Sequence, residues 1–514
     1  MQADNIHNSG RIAKNTLVLY IRMIFLMFIS IYTSRIVLNA LGVEDYGIYN
    51  VVGGVVSMFT ILSGSMSAAI SRFITFELGR SSDLERLRTV FSTSVTVQVI
   101  IAVLVVLLAE GVGVWFINNR MNIDPERLNA ANWVFQLSLL SFAVNLLSIP
   151  YNASIIAHEK MSAFAYISIF EGVAKLSVAF LTASSPFDRL IFYAMLTCVV
   201  AVIVRILYSV YCRKYFDEVR FHFCFDKGLF REMFSFAGWN FIGVTSGALR
   251  DHGGNILINI FSGPAANAAR AVSVQLGGAI QSFVTNFMTA VNPQITKSYA
   301  AEEREYTMEL VFRSSRYAFY LLSLIAFPVL LNAGFILDLW LEDVPLRSES
   351  FVCLALILSM SECISNPLVT LMLATGNIRN YQLIVGGLQL LNLPVSYLVL
   401  KAGAPPESIL LVAIVISQIC LFARLFLLRG MTGLPVGRFI RQVYLRILFV
   451  AVLSYLPSWW LTSLSGEGIW AFAGSCLISL TLSALVIWTA GLSSDERRIL
   501  KEKAGELIER RRRL

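Results

Sequence analysis

Runs of about 20 mostly apolar residues follow one another along almost the whole chain, and no other feature restricts its fold as much. In hydrocarbon every backbone N–H and C=O must be satisfied within the protein, so runs of this length and number read as helices that cross a bilayer. Fourteen can be placed, near 12–34, 46–69, 88–117, 129–154, 160–183, 188–212, 232–261, 268–292, 311–337, 348–374, 378–401, 407–429, 440–463 and 466–490. Of the 514 residues, 56% are hydrophobic and 14% charged. Soluble proteins carry about 25% charged residues, so an ordinary globular enzyme is excluded. The first run, from Ile12, outlasts a signal-peptide core and is followed by no small-residue cleavage site, so it reads as an uncleaved span. The connecting segments are all short, which leaves no soluble head to carry catalysis. The expectation is an all-α polytopic membrane protein that is not an enzyme.

Charge tests this map. The net charge is +8, which in a membrane protein points first to Lys and Arg gathered on the cytoplasmic side rather than to nucleic acid. With both termini cytoplasmic, the inside segments hold clusters such as Arg72, Arg80, Arg86 and Arg88, or Arg429, Arg438, Arg441 and Arg446, and a basic tail over 493–514. The outside segments hold only Arg35, Arg120, Arg127, Arg189, Arg270, Arg347 and Lys401. An error of one span would scramble that alternation. The seven cysteines form no CxxC pair and the four histidines no helical zinc pair, so neither a disulfide framework nor a metal site is expected.

The chain also repeats itself. Setting Gly42 on Gly263 places Val51 on Val272, Ala69 on Ala290, Ile74 on Ile295 and Thr75 on Thr296 without a gap. Setting Pro150 on Pro367 places Ser148 on Ser365 and Ala157 on Ala374 at nearly the same offset. The shift is six spans, an even number, so the halves share an orientation and form two parallel six-helix lobes with a site between them. This divides the chain into an N-lobe (1–231, spans 1–6), a C-lobe (232–430, spans 7–12), an added pair (431–492) and the basic tail (493–514). Glycines in span two (Gly42, Gly47, Gly53, Gly54, Gly64) and span eight (Gly263, Gly277, Gly278) read either as close packing or as hinges.

Charges within spans are costly and so are functional candidates. The basic ones are Arg22, Lys175, Arg205, Arg250 and Arg424; the acidic ones are Glu171, Asp251 and Glu362, with Glu110 near an end. Arg22 lies roughly 16 Å into the first span at 1.5 Å per residue, and Arg250 lies in the middle of the seventh, the equivalent helix of the other lobe. Both can face one cavity, where guanidinium suits paired phosphate oxygens. Asp251 sits about 100° round the helix from Arg250, so it is not expected to pair with it easily. Asp251 with His252 forms a candidate proton-coupling site, and Glu362, five residues before Pro367, is a further candidate for the cavity. Glu171 and Lys175 are spaced as a structural ion pair. Arg205 and Arg424, near equivalent helix ends, are expected to reach the headgroups. Asn240, Asn259, Asn267, Gln275, Gln281, Asn286 and Asn292 crowd spans seven and eight and suit sugar hydroxyls or interhelical hydrogen bonds.

Residues 41–49 read LGVEDYGIY, 259–270 read NIFSGPAANAAR and 292–300 read NPQITKSYA. In these stretches, and over roughly 10–490, the chain resembles the Wzx-type oligosaccharide flippases of the multidrug/oligosaccharidyl-lipid/polysaccharide superfamily, with their MATE-like fold. The resemblance implies a bacterial inner-membrane protein. Its implied cargo is an undecaprenyl-diphosphate-linked oligosaccharide, flipped by alternating access for O-antigen, capsule or exopolysaccharide synthesis. It further implies diphosphate binding by Arg22 and Arg250, with Arg270 as a third; membrane lipids and a polysaccharide polymerase as partners; no cofactor; and coupling to an H+ or Na+ gradient. A lipid II flippase and a multidrug cation antiporter are the alternatives. The antiporter is disfavoured because the interior carries more bases than acids.

Overall fold

The computed structural model describes residues 2–57, 59–80, 83–119, 121, 123–220, 226–341, 343–463, 468–494 and 496–498, with the backbone alone described for 2–9, 43 and 57. The tail beyond 498, Cys224 and His222 lie outside the described residues. Every regular element among those described is helical. The helices used below are α1 (Gly10–Gly42), α2 (Glu44–Val56, continued after a 50° bend by Thr60–Arg80), α3 (Leu84–Asn119), α4 (Leu128–Ala157), α5 (Met161–Ala183) and α6 (Arg189–Tyr215). They continue as α7 (227–262) and α8 (264–300), two stretches of one helix broken at Gly263. The rest are α9 (Arg304–Leu331), α10 (Ser348–Thr375), α11 (Arg379–Lys401), α12 (Ser408–Thr432), α13 (Val436–Ser463) and α14 (Ile469–Gly491).

Among the described residues eleven helices are long and apolar enough to cross a membrane, or twelve with the bent pair of α2 taken as one span. The sequence expectation was fourteen. The two that fall short are α7 and α8, where amides, Arg250, Asp251 and Arg270 dilute the apolar content. The helices start where side chains can satisfy orphan N–H groups. Asp83 accepts from Glu85 and Arg86 (3.1 and 3.4 Å), Asp188 from Leu190 and Ile191 (3.0 and 3.1 Å), and Asp226 from Gly228 and Leu229 (2.8 and 3.1 Å).

The chain forms two compact units. The first comprises 13–244 and 296–302, the second 1–12, 245–295 and 303–514. In the first, α4 packs against α2, α3 and α6, and Phe91, Phe135 and Ile155 are fully buried. Glycines allow close approach: a Cβ on Gly172 would lie 2.5 Å from Leu26 of α1, and one on Gly79 would lie 2.6 Å from the Lys297 backbone. Lys297 in turn pairs with the buried Glu159 at 2.8 Å. In the second unit α12 packs on α10 and α11, while α13 and α14 pack on each other and on α9. Both helices bury serines at helical spacing, Ser454 and Ser458 on α13 and Ser475, Ser479 and Ser483 on α14, and Ser475 Oγ donates to Asn332 Oδ1 at 2.7 Å. Small side chains let membrane helices meet closely where no water drives association.

The repeat has a backbone signature. Gly42, between α1 and α2, has φ 79° and ψ 171°; Gly263, between α7 and α8, has φ 78° and ψ −178°. This region is open essentially only to glycine, and it recurs at the two positions that the gap-free alignment matches. The ends of α4 and α10 match as well, with Glu159 at φ 58° and Gly376 at φ 77°. Neither Gly42 nor Gly263 has a neighbour within 4 Å of a built Cβ, so the requirement is conformational rather than steric. Gly263→Ala is expected to cost about 1–3 kcal/mol, read as a lower melting temperature of the detergent-purified protein, and Gly42→Ala should match it. An unchanged melting temperature in both would show that the breaks do not need glycine.

Candidate functional site

The second unit gathers charge where the sequence is otherwise apolar. Arg250, on α7, is largely buried. Its Nε donates to Asp251 Oδ1 at 3.0 Å, and its Nη1 donates to Glu362 Oε1. The sequence expectation that Asp251 is a poor partner is corrected here: a guanidinium on a long stem folds back along the helix and reaches its neighbour. Glu362 lies in the last turn of the first part of α10, which ends at Cys363 before an interruption at Ile364 and Ser365. Arg250 bridges the two carboxylates, so no uncompensated charge is left on its guanidinium.

Arg270 is the larger correction. The charge map set it in an outside segment. In the structure α8 begins at 264, so Arg270 lies inside the helix and is 5% exposed. Its Nη2 donates to the Asp251 carbonyl at 3.2 Å, while Nε and Nη1 have no partner among the described residues. Gly254 makes room for it, since a Cβ there would lie 3.1–3.3 Å from the guanidinium. Arg250, Asp251, Gly254, Arg270, Asn392 and Ser396 line a cavity of ≈ 20 Å³. Asn392 Oδ1 and Ser396 Oγ are also buried without a partner. That volume admits about one water molecule, so the site as it stands is closed to a headgroup. An open apolar groove of ≈ 490 Å³ adjoins it, lined by residues including Gly253, Ile256, Pro394, Tyr397 and Leu398. Leu393 lines both spaces.

Arg22 belongs to the first unit. Its guanidinium lies 4.5 Å over the Phe164 ring, its Nε is buried without a partner, and Glu171 and Tyr208 are within electrostatic reach. Glu171 and Lys175 meet at 2.6 Å. Asn240 is buried in the same unit. The remaining amides are not gathered on the Arg250–Arg270 cavity: Asn259 and Gln275 are exposed, Asn292 accepts from Thr370 at 2.8 Å, and Gln281 buries an unpartnered Oε1. His252 is exposed beside Asp251, whose carboxylate is engaged by Arg250. Arg424 does not reach towards headgroups. It is buried and donates to Tyr381 Oη at 2.7 Å and Ser365 Oγ at 3.1 Å. Arg205 lies 4.0 Å over the Tyr151 ring.

Sequence reading missed three ionic contacts at the helix ends. Arg127, at the start of α4, binds both carboxylate oxygens of Asp45 (Nε to Oδ1 2.8 Å) and reaches Asp188, the cap of α6, at 2.6 Å. The hydrogen bonds that Arg127 donates to Asp45, and the one it donates to Asp188, raise its pKa above the ordinary value. Burial pushes the Asp188 carboxyl up, but the Ile191 N–H and Arg127 outweigh it and hold it below the usual range. In the second unit Arg347, before α10, binds Glu407, before α12, at 2.9 Å. The signal was an arginine and an acid immediately before the matching helices of each half.

The comparisons with known proteins agree in kind. A family model described as polysaccharide biosynthesis protein matches residues 12–299. An uncharacterized membrane protein of Bacillus subtilis (strain 168), EpsK, is 22% identical over 321 residues, 61% of this chain and 62% of that protein. This chain thus spans less than two thirds of that relative. Among solved structures, a MATE transporter in its bent conformation superposes with a TM-score of 0.72 at 11% identity, covering 83% of this chain and 96% of that one. The bent form of the Vibrio cholerae MATE transporter VcmN gives 0.67 at 13%, covering 85% and 100%. A MOP superfamily transporter from Pyrococcus furiosus, described as having a binding pocket of reverse polarity, gives 0.65 at 12%, covering 83% and 96%. These likenesses show a MATE-type transporter fold.

Proposed function

The chain belongs to the polysaccharide biosynthesis protein family, and from that premise we propose that it flips an undecaprenyl-diphosphate-linked oligosaccharide across the bacterial cytoplasmic membrane. One observation carries this reading. Two guanidiniums, Arg250 and Arg270, lie at a cavity that adjoins an open apolar groove. An anionic headgroup on a hydrocarbon chain matches both features. Two forked donors suit a diphosphate, and the groove suits the chain that stays in lipid.

In the closed site Arg250 is already occupied by Asp251 and Glu362. A diphosphate therefore enters by exchange: it takes the guanidinium and displaces the two carboxylates from it. Asp251, His252 and Glu362 are the candidates for coupling that exchange to an H+ or Na+ gradient. Alternating access then presents the loaded site to the second leaflet, with both termini on the cytoplasmic side. A lipid II headgroup shares the diphosphate and differs in its sugars. An organic-cation antiporter would need an acid free for its substrate, whereas both acids here are bonded to Arg250.

The test is translocation by the purified protein in liposomes, reading the appearance of a lipid-linked oligosaccharide in the opposite leaflet with a membrane-impermeant glycosidase. Translocation faster than in protein-free liposomes supports the proposal. No acceleration, together with proton-driven export of an organic cation, would replace it with the antiporter.

A further inference from the structure

The two units break their paired helices with the same glycine geometry but hold the break differently. In the first unit the Gly42 break is tethered on both sides. Arg127 binds Asp45 bidentately on the α2 side, and Arg189 Nη1 donates to the Ala40 carbonyl at 3.2 Å on the α1 side. In the second unit both tethers are missing from the positions that match. The alignment of Gly42 with Gly263 puts Ala266 where Asp45 stands. Ser408, the first residue of α12, stands where Arg189 begins α6; it is buried, and its Oγ has no partner. The arginine equivalent to Arg127 is present as Arg347, but among the described residues it reaches only Glu407. Among the described residues no side-chain hydrogen bond or ion pair ties 256–269 to another helix. Apolar packing holds the segment instead: Ile258, Ala266 and Ala269 lie against Phe351, Leu358 and Ile409, and Phe261 meets Tyr397 edge-on at 5.5 Å. Contacts of this kind are non-directional.

We propose that the Gly263 break is the hinge that carries Arg250 and Arg270 during transport, and that it is free to move because Ala266 and Ser408 replace the tethers that Asp45 and Arg189 supply at the Gly42 break. That it acts in transport rests on the flippase reading; that it moves does not. Both guanidiniums of the closed cavity lie on the two helices joined at this glycine, so a change of angle there opens or closes the gap between Arg270 and Asp251. Arg127 and Arg189 are positioning residues, which hold the other break rigid.

Amide hydrogen exchange of the full chain in lipid nanodiscs tests the hinge without any substrate, because local opening is what it reads. Peptides spanning Gly263 are expected to exchange about tenfold faster than those spanning Gly42, the factor that about 1.4 kcal/mol of tethering gives. Asp45→Asn should remove most of that difference by accelerating exchange at Gly42. Ala266→Asp, which offers Arg347 a second acid, should slow exchange at Gly263 and slow translocation with it, and Arg347→Gln in that background should restore both. Equal protection at the two breaks in the unaltered protein overturns the proposal, as does an Asp45→Asn variant that leaves Gly42 protected. The wild-type comparison decides the matter even where Ala266→Asp misfolds. Faster exchange at Gly263 in a protein that fails to flip any lipid-linked glycan keeps the hinge and removes the flippase reading.

Discussion

Arg270→Ala is expected to abolish translocation of the lipid-linked glycan while leaving the protein folded in the membrane. Two of its three guanidinium nitrogens, Nε and Nη1, have no partner among the described residues. Little of the fold therefore depends on this side chain, and relieving an incompletely paired buried cation offsets what packing is lost. A diphosphate bound there would lose a desolvated partner, at a cost of about 2–5 kcal/mol in binding, or tens- to thousands-fold in affinity. Arg270→Lys should recover only part, because a point charge cannot reproduce the fork. Arg250→Ala should differ, since it strands Glu362 and Asp251 and lowers thermal stability as well as transport. Adding Glu362→Gln to Arg250→Ala should restore stability without restoring transport. Inorganic pyrophosphate binding to purified variants, set beside melting temperatures, separates these effects. Wild-type transport by Arg270→Ala would remove the anchor role.

Glu496→Gln is expected to have the largest effect on stability. After α14 the chain opens a new turn with a capping box: the Ser493 N–H donates to Glu496 Oε2 at 2.6 Å, and the Glu496 N–H donates to Ser493 Oγ at 3.3 Å. The Glu496 carboxylate also accepts from Arg316 of α9 at 2.6 Å, with 2% of its side chain exposed and 7% of that of Arg316. Breaking a buried pair leaves a lone charge, at about 3–5 kcal/mol. The effect should also appear in acid. Burial pushes the Glu496 carboxyl up, but Arg316 and the Ser493 N–H outweigh it, so its folded pKa lies below the ordinary 4.5. A depressed acid stabilises fully above its unfolded pKa and loses that contribution as pH falls through the folded value. The melting temperature of the wild type should therefore fall below about pH 4.5 more steeply than that of Glu496→Gln. Parallel pH profiles would show that the pair carries no stability.

Much of the architecture is legible in the residues because the bilayer enforces it locally. A run of apolar residues can be satisfied only as a helix, and the chain's helices follow the order of its runs. The pairing of Gly42 with Gly263 was readable too, since a conformation open only to glycine leaves glycine in both copies. Arg250 stood out because a charge in an apolar run is costly whatever surrounds it.

Tertiary structure alone decided the partners. Glu362 lies 112 residues from Arg250, Glu496 lies 180 from Arg316, and Asp45 lies 82 from Arg127. No periodicity records which distant acid a cation will meet. The placement of Arg270 turned on where a helix begins, which depended on one backbone angle at Gly263 rather than on hydropathy. Arg424 has the sequence signature of a residue reaching for headgroups, yet Tyr381 and Ser365 hold it inside. Spans and their order follow from short-range constraints that each residue carries with it. Charge neutralisation and helix tethering follow from which helices become neighbours, and that exists only once the chain has packed.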